Sequence, residues 1–145
     1  MPTPTTPTME IAKDKRVLLI DDDARALEAI SGLLQSWGFK VVNAQSLPAA
    51  LAQTAAHPPD LIISDYHLEN EITGIDVIEH LQSKFDAKIP AFLISGDTAL
   101  DSGHRASMAG YVILHKPVEP MALRASVDWF LKKHAEGDRT RVAAR

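Results

Sequence analysis

Short apolar runs alternate with longer helical patterns along this chain, and this alternation constrains its fold more than any other feature. Such an order is typical of repeated βα units, in which parallel strands form one sheet covered by helices. Four of the runs lead directly into polar residues: 17–20 into Asp21-Asp22-Asp23, 61–64 into Asp65, 91–94 into Ser95, and 111–114 into His115-Lys116-Pro117. With a further strand over 40–44, the sequence predicts an α/β fold with five strands.

The segments between the runs carry helix start and stop signals. One predicted helix begins at Asp22 or Asp23 and ends at Gly38, and the others run from Ser46 to about residue 56, from Gly74 onward, over about 98–109, and from near Pro120. The helix over 98–109 contains Gly103 and few large apolar residues, so its amphipathic pattern is weak. Five helices follow from the pattern, but periodicity does not give the order of the strands in the sheet.

The length of 145 residues fits one domain with two short tails. We predict a disordered Pro/Thr-rich leader over 1–14, a folded domain over 15–134 and a flexible tail over 135–145. The absence of cysteine excludes disulfides and zinc–cysteine sites and fits a cytoplasmic protein. No apolar run approaches the roughly 18–20 residues that cross a bilayer, so no membrane partner is expected. A net charge of −4 neither predicts nor excludes nucleic acid, and we expect none to bind.

The polar residues at the strand ends predict a phosphoryl-transfer site. The carboxyl ends of parallel strands meet at one edge of a sheet, where open α/β folds bind ligands. Carboxylates that converge there repel one another unless a cation is present, and a site of carboxylates, a backbone carbonyl and water suits Mg²⁺. One carboxylate can then attack phosphorus to give an aspartyl phosphate, while Lys116 and Ser95 contact the phosphoryl oxygens. Asp23 is well explained as a helix N-cap.

These residues resemble the receiver domain of two-component response regulators, over about 16–133. The resemblance rests on five motifs: Val-Leu-Leu-Ile-Asp-Asp-Asp at 17–23, Ile-Ile-Ser-Asp-Tyr at 62–66, Gly74, Leu-Ile-Ser-Gly at 93–96, and His-Lys-Pro at 115–117. The family implies a doubly wound, flavodoxin-like fold with five helices and a five-stranded parallel sheet of order 2-1-3-4-5. It also implies that the phosphoryl donor is a phosphohistidine on a sensor histidine kinase or a histidine phosphotransfer protein.

The resemblance assigns the phosphoacceptor and the metal ligands. Asp65 matches the aspartate that receives the phosphoryl group and that also contacts Mg²⁺. Asp22 matches the direct metal ligand, and Asp21 matches the acidic residue that holds the metal through water. The backbone carbonyl of His67 matches the remaining ligand that the protein supplies.

The resemblance also covers the phosphoryl contacts, with two departures. Ser95 matches the hydroxyl that follows the phosphoryl group, Lys116 matches the lysine that contacts it, and the Lys116–Pro117 bond matches a position that is commonly cis in the family. However, Ile113 stands where the family usually has an aromatic switch residue, three before the lysine. The loop over 68–71 also lacks the common Met-Pro and is longer, in the style of receivers attached to hybrid sensor histidine kinases.

The leading hypothesis is a phosphoacceptor module that is not a turnover enzyme and that signals by binding partners or by relaying phosphate. Weak homodimerisation through the face of the last two strands and helices is also expected. A rival hypothesis is a small Mg²⁺-dependent phosphatase of the haloacid dehalogenase type with Asp21 as nucleophile, because Asp21 and Asp23 have that spacing. Ala24-Arg25 departs from that family's Gly-Thr type residues, and Asp65 would have no role. A degenerate receiver that only binds partners is disfavoured because the set of site residues is complete.

Overall fold

Five parallel strands form one sheet in the computed structural model, which describes residues 14–96 and 110–143. The strands are β1 (Arg16–Ile20), β2 (Lys40–Ala44), β3 (Leu61–Asp65), β4 (Ala91–Ser95) and β5 (Ile113–His115). Their order in the sheet is β2-β1-β3-β4-β5, and each neighbouring pair is parallel. The predicted doubly wound sheet of order 2-1-3-4-5 is confirmed.

Four α-helices lie within the described residues: α1 (Ala24–Ser36), α2 (Leu47–Gln53), α3 (Gly74–Phe85) and α4 (Pro120–Ala143), with a 3₁₀ turn at Glu69–Glu71. Each α-helix begins at a polar side chain that accepts hydrogen bonds from amides of the first turn: Asp23, Ser46, Thr73 and Glu119. At α3 the cap is reciprocal, because Thr73 and Asp76 each accept a bond from the other's amide. The fifth predicted helix, over 98–109, and the leader over 1–13 lie outside the described residues.

The sheet separates two hydrophobic clusters, because successive side chains of a strand point to opposite faces. The α1–α4 compartment contains buried residues of both helices and alternate strand residues: Val17, Leu19, Leu27, Ile30, Leu34, Leu61, Ile63, Phe92, Ile94, Leu123, Val127 and Leu131. The α2–α3 compartment contains the strand residues of the other face: Leu18, Ile20, Ala44, Ala50, Ile62, Val77, Ile78, Leu81 and Leu93. Strands β3 and β4 are buried at every position, as expected for a parallel sheet covered on both faces.

Two elements, α2 and β5, are shorter than predicted. Helix α2 ends at Gln53 rather than near residue 56, because the backbone of Thr54 leaves the helical conformation, with φ −106° and ψ 6°. The amide and the hydroxyl of Thr54 both donate to the carbonyl of Ala50. Strand β5 begins at Ile113 rather than at residue 111, because its paired register with β4 covers only Ile113–His115. The predictions had the right elements but extended them into flanking apolar residues.

Helix α4 is the longest helix that the described residues contain. It runs from Pro120 to Ala143, and the flexible tail over 135–145 stays a prediction. No proline follows Pro120 in the chain, so no residue interrupts the hydrogen-bond ladder in the way that proline does. Within the described ranges, no helix combines the length and the apolar character that crossing a bilayer requires.

Candidate functional site

The carboxyl ends of four strands lie side by side at one edge of the sheet. The register pairs residues at or next to the ends of neighbouring strands: Ile20 with Ser64, Asp65 with Ile94, and Ser95 with His115. Asp21 and Lys116, which directly follow β1 and β5, are therefore carried to the same edge. The structure thus brings together the polar residues that the sequence placed at the strand ends, at the edge where open α/β sheets bind ligands.

Asp21 is the most firmly held carboxylate of the site. It is only 3% exposed, and its amide donates to the carbonyl of Ala44 at 3.1 Å. Its Oδ1 accepts a hydrogen bond from the amide of Asp23 at 2.9 Å, and its Oδ2 accepts one from Lys116 Nζ at 2.7 Å. Both carboxylate oxygens are therefore already engaged by the protein.

Asp65 closes β3 and is 8% exposed. Its Oδ2 lies 3.4 Å from Lys116 Nζ. Behind it, α3 begins at Gly74, where a Cβ atom would collide with the Asp65 carbonyl oxygen and would lie 2.7 Å from Leu93 Cδ2 and 3.0 Å from Ser64 Oγ. Only glycine allows the helix to begin this close to the end of the strand, so Gly74 permits the short distance between the start of α3 and the backbone of Asp65.

Lys116 reaches the carboxylates from the end of β5. Its amide donates to the carbonyl of Ser95 at 2.8 Å, and the Lys116–Pro117 bond is cis, as the resemblance implies. Its aliphatic stem passes Gly96, where a Cβ atom would lie 3.6 Å from Lys116 Cδ. Burial acts to lower the pKa of Lys116, but the neighbouring carboxylates, first of all Asp21 through its hydrogen bond, raise it overall. The lysine is therefore a fixed positive charge within the site.

Asp21, Asp22 and Asp65 form a cluster that could hold a metal ion, since one carboxylate oxygen from each lies within 4.8 Å of the others. Burial and the charge of Asp21 raise the pKa of Asp65 to about 6, although Lys116 opposes them. The same two causes raise the pKa of Asp22. A divalent cation would relieve this repulsion, and carboxylate oxygens are the ligands that Mg²⁺ prefers. The residues therefore fit the metal that the sequence predicts.

Ser95 and His67 are the other two predicted site residues, and both lie near this edge. Ser95 closes β4 and is 1% exposed, so it is part of the buried wall of the site. His67 lies two residues beyond Asp65, forms an antiparallel bridge with Thr73, and packs edge-on against the Tyr66 ring at 4.8 Å between centroids. The bridge fixes the backbone of His67, whose carbonyl remains a predicted metal ligand.

Two features of the site were missed in the sequence. Lys116 lies closer to Asp21 than to Asp65, although the resemblance assigns it to the phosphoryl group on Asp65. No sequence signal could have shown this, because the two distances depend on side-chain geometry across three strands. Gly74 was identified as the start of a helix and as a motif of the family, but the close approach of α3 to β3 that requires a glycine there was not predicted.

Comparison with known proteins decides the family. A family model described as the response regulator receiver domain matches residues 17–128. The chain belongs to the response regulator receiver family. The receiver has the fold of the CheY-like receiver domain protein of Methanospirillum hungatei JF-1, with a TM-score of 0.73 and 23% identity over 86% of this chain and 99% of that one. Chemotaxis protein CheY4 of Vibrio cholerae gives a TM-score of 0.71 and 24% identity over 81% and 98%.

The receiver is also similar in sequence to larger regulators. The photosynthetic apparatus regulatory protein RegA of Rhodovulum sulfidophilum is 32% identical over 120 residues, which cover 81% of this chain and 64% of RegA. The transcriptional regulatory protein KdpE of Mycobacterium tuberculosis is 36% identical over 94 residues, which cover 60% of this chain and 40% of KdpE. The receiver thus spans less than two thirds of the length of these relatives. Because KdpE is named a transcriptional regulator, the expectation of no nucleic-acid partner stays a prediction.

Proposed function

We propose that this receiver accepts a phosphoryl group on Asp65 from a phosphohistidine of a sensor histidine kinase or a histidine phosphotransfer protein. The observation that carries the proposal is the position of the Asp65 carboxylate, which lies at the sheet edge within the acidic cluster and 3.4 Å from Lys116 Nζ. Asp21 has both oxygens engaged, and Asp22 is exposed on the loop that follows β1. Asp65 is therefore the carboxylate best placed to act as the nucleophile.

The proposed reaction is a substitution at phosphorus. A carboxylate oxygen of Asp65 forms the new P–O bond while the P–N bond of the phosphohistidine breaks, and the electron pair of that bond returns to the imidazole nitrogen. Lys116 and Ser95 would contact the equatorial phosphoryl oxygens, on which negative charge is concentrated. Since Lys116 carries a permanent charge and already contacts Asp65, it can bind the phosphoryl group with a small change of its side chain.

Asp21, Asp22, Asp65 and the carbonyl of His67 would hold Mg²⁺ in this proposal. When bound, the ion supplies positive charge next to the transferred phosphoryl oxygens. Asp22 is exposed and free to approach a metal directly. The carboxylate of Asp21 is committed to a backbone amide and to Lys116, which suits contact with the metal through water.

The same proposal makes the receiver a signalling switch rather than a turnover enzyme. It would act by binding a partner in its phosphorylated form or by passing the phosphoryl group on, and the hybrid-kinase style of its loop favours a relay. The proposed location is the cytoplasm, with which the absence of cysteine agrees.

We also propose weak homodimerisation through the face of the last two strands and helices. Met121 and Trp129 of α4 support it, because these large apolar side chains are 77% and 51% exposed. Light scattering over a concentration series, with and without beryllofluoride, tests this part of the proposal. A mass that stays monomeric at every concentration in both states would contradict it.

Covalent labelling tests the phosphoacceptor. The protein is treated with acetyl phosphate and Mg²⁺, and the added phosphoryl group is measured by intact-mass spectrometry. We expect one group per wild-type chain and none in Asp65→Asn. Asp86→Asn is the matched control, because Asp86 is an exposed aspartate at the end of α3 and outside the acidic cluster, so this variant should be labelled like the wild type.

The labelling pattern also separates the proposal from the haloacid dehalogenase-type phosphatase. Labelling that persisted in Asp65→Asn but vanished in Asp21→Asn or Asp22→Asn would overturn the assignment of Asp65. Repeated turnover of a phosphomonoester, such as para-nitrophenyl phosphate, would favour the phosphatase. The receiver family match and the engagement of both Asp21 oxygens weigh against that rival.

A further inference from the structure

An open groove of about 1150 Å³ lies at the amino end of the sheet. Lys15, Asp60 and Pro90 directly precede β1, β3 and β4, and all three line it. Residues from the end of α3 and from the second half of α4 complete the lining. Because the strands are parallel, this groove lies at the edge of the sheet opposite the acidic cluster and is no part of the site described above.

The groove exposes apolar surface around one tryptophan. Ile89 and Leu131, which belong to different hydrophobic compartments, both line it. Trp129 also lines it and is 51% exposed, although its ring is held in place. The Phe130 ring packs edge-on against it at 4.8 Å between centroids, and Lys133 Nζ lies 4.9 Å from its centroid. Tryptophans that are ordered but exposed are typical of surfaces that bind another segment.

The charges around the groove are mainly positive. Its exposed cationic side chains include Lys15, Lys88 and Lys133. Of the two aspartates that line it, Asp60 already accepts a hydrogen bond from the amide of Arg16 at 2.8 Å. The groove therefore suits a segment that combines apolar side chains with a carboxylate.

The chain itself contains such a segment directly before the groove. Pro7, Met9 and Ile11 alternate with Thr8 and Glu10, so in an extended conformation the three apolar side chains share one face. Glu10 is the only acidic residue among the first 13. The chemistry of residues 7–11 thus complements that of the groove.

The position of Lys15 brings this segment within reach of the groove. The carbonyl of Lys15 accepts a hydrogen bond from the amide of Lys40 at 2.9 Å, and Asp14 forms an ion pair with Lys40 Nζ at 3.6 Å. An extended chain spans roughly 3.3 Å per residue, so Ile11 can reach about 13 Å from Lys15 and Pro7 about 26 Å. The segment can therefore enter a groove that Lys15 itself lines.

We propose that residues 7–11 dock in this groove of their own chain, with their apolar face against Ile89, Leu131 and Trp129 and the carboxylate of Glu10 near the lysines. The Pro/Thr-rich composition gives the leader no core of its own, so it would order only on a surface that the receiver has already built. Docked in this way, it covers Trp129 and contacts both α3 and α4. The inference does not depend on the proposed function, because it concerns the opposite edge of the sheet.

Paramagnetic relaxation in the full chain tests the docking. Because the sequence has no cysteine, Thr5→Cys provides a single site for a nitroxide label. We expect the label to broaden the amide signals of Lys88 and Ile89 and the indole N–H signal of Trp129. Labelled chains whose groove signals are not broadened would overturn the inference.

Variants of the labelled chain separate docking from mere tethering. Met9→Ser with Ile11→Ser removes apolar side chains from the docking face, and we expect the broadening in the groove to be lost. Thr6→Ser with Thr8→Ser is the matched control, because it changes the other face of the same segment and should retain the broadening. Equal broadening in both double variants would show that the leader is only tethered nearby, which would contradict the inference.

A mixed sample separates docking within one chain from binding between two copies. Trp129 also supports the homodimer proposed above, so a second copy is the competing occupant of the groove. Labelled chains without ¹⁵N are mixed with unlabelled ¹⁵N chains, in which only contacts between copies cause broadening. We expect the groove signals to stay sharp in this mixture. Broadening as strong as that within one chain would assign the groove to a second copy and overturn the inference.

Discussion

At the scale of single residues, Lys116 forms ion pairs with two carboxylates at unequal distances. Its Nζ lies 2.7 Å from Asp21 and 3.4 Å from Asp65. The shorter contact holds the ammonium group against Asp21 and leaves it at a longer distance from Asp65 Oδ2. Lys116 thus forms a close ion pair with Asp21 and balances the charge of Asp65 less closely, which suits the role of nucleophile that we propose for Asp65.

Removing the charge of Asp65 should stabilise the metal-free protein. Burial and the charge of Asp21 raise the pKa of Asp65 from 3.8 to about 6 in the folded state. The folded state therefore binds the proton more tightly than the unfolded chain, and stability falls as pH rises from about 4 to about 6. Because water at the open edge screens part of this effect, we expect Asp65→Asn to gain on the order of 1 kcal/mol at pH 7.5.

Urea unfolding in EDTA at several pH values measures this gain. It should vanish below about pH 4, where Asp65 is protonated in both states and resembles the amide. Added Mg²⁺ should reverse the order of stability at pH 7.5, because the wild type gains more from the ion. A gain that is the same at every pH would show that the ionisation of Asp65 is not its source.

Single-residue chemistry was also the scale at which sequence reasoning worked best. Asp21, Asp65 and Ser95 stand at the ends of short, largely apolar runs, so their arrival at one sheet edge could be predicted from the alternation of βα units. The pairing of Lys116 with Asp21 could not be predicted, because nothing in the order of residues fixes a distance across the sheet.

At the scale of elements, α3 owes its position to Gly74. The helix begins where the backbone leaves Asp65, and any side chain there would meet the Asp65 carbonyl, Leu93 and Ser64. We expect Gly74→Ala to destabilise the fold by about 2–3 kcal/mol, as overpacking of a tight core does. Its matched control is Gly32→Ala in the exposed face of α1, where a Cβ meets nothing within 4 Å.

Thermal and urea unfolding of both variants measure this difference. Gly32→Ala should gain about 0.5–1 kcal/mol, because alanine loses less backbone entropy than glycine in a helix. Similar stabilities of Gly74→Ala and wild type would show that the start of α3 can move away from β3 at little cost.

At the carboxyl end of α3, a substitution to glycine should stabilise the protein, in contrast to the loss of glycine at its start. Asp86 ends this helix in the left-handed conformation, with φ 48° and ψ 45°, and its side chain is exposed. Glycine adopts this conformation without a penalty, and the negative charge of aspartate is unfavourable at a helix carboxyl end. Asp86→Gly should therefore raise the free energy of unfolding by about 0.5–1 kcal/mol.

Asp86→Ala separates the two causes, because it removes the charge and keeps the penalty of the left-handed conformation. In chemical denaturation we expect it to recover only the smaller, electrostatic part of the gain. If alanine stabilised the protein as much as glycine does, the backbone conformation of residue 86 would not be the source.

Element ends were predicted less well than element types. Tyr111 and Val112 continue an apolar run, so the sequence extended β5 over them, whereas pairing with β4 covers only Ile113–His115. The sequence also extended α2 to about residue 56, whereas the helix ends at Gln53. In each case the boundary depends on hydrogen-bond partners that local composition does not specify.

At the scale of the whole molecule, the order of the strands came from the family resemblance and not from periodicity. Strands β1, β3, β4 and β5 are neighbours in this order and run parallel, so the residues at their carboxyl ends lie at one edge of the sheet. The residue that the family resemblance assigns to signal transmission from that edge is unusual here. Ile113, at the position of the family's aromatic switch, is half-buried and packs against the α2–α3 compartment.

Activation should therefore change β5 only slightly. A branched aliphatic side chain has no ring that can rotate between a buried and an exposed position. Adding beryllofluoride and Mg²⁺ should shift the amide NMR signals around Asp65 more than those of Ile113–His115. The variant Ile113→Tyr restores the family's aromatic residue and should show the larger shifts in β5. Large wild-type shifts throughout β5 would contradict this expectation.

The division of the interior by the sheet has a consequence for how this protein tolerates change. Leu34 and Leu81 lie in different compartments, so truncating both should produce an additive loss, as independent sites do. Two truncations within one compartment share neighbours and should show epistasis. An evolving lineage or a protein engineer could therefore change the packing of the helices on one side of the sheet without changing the packing on the other. The sheet edge that holds the acidic cluster borders both compartments.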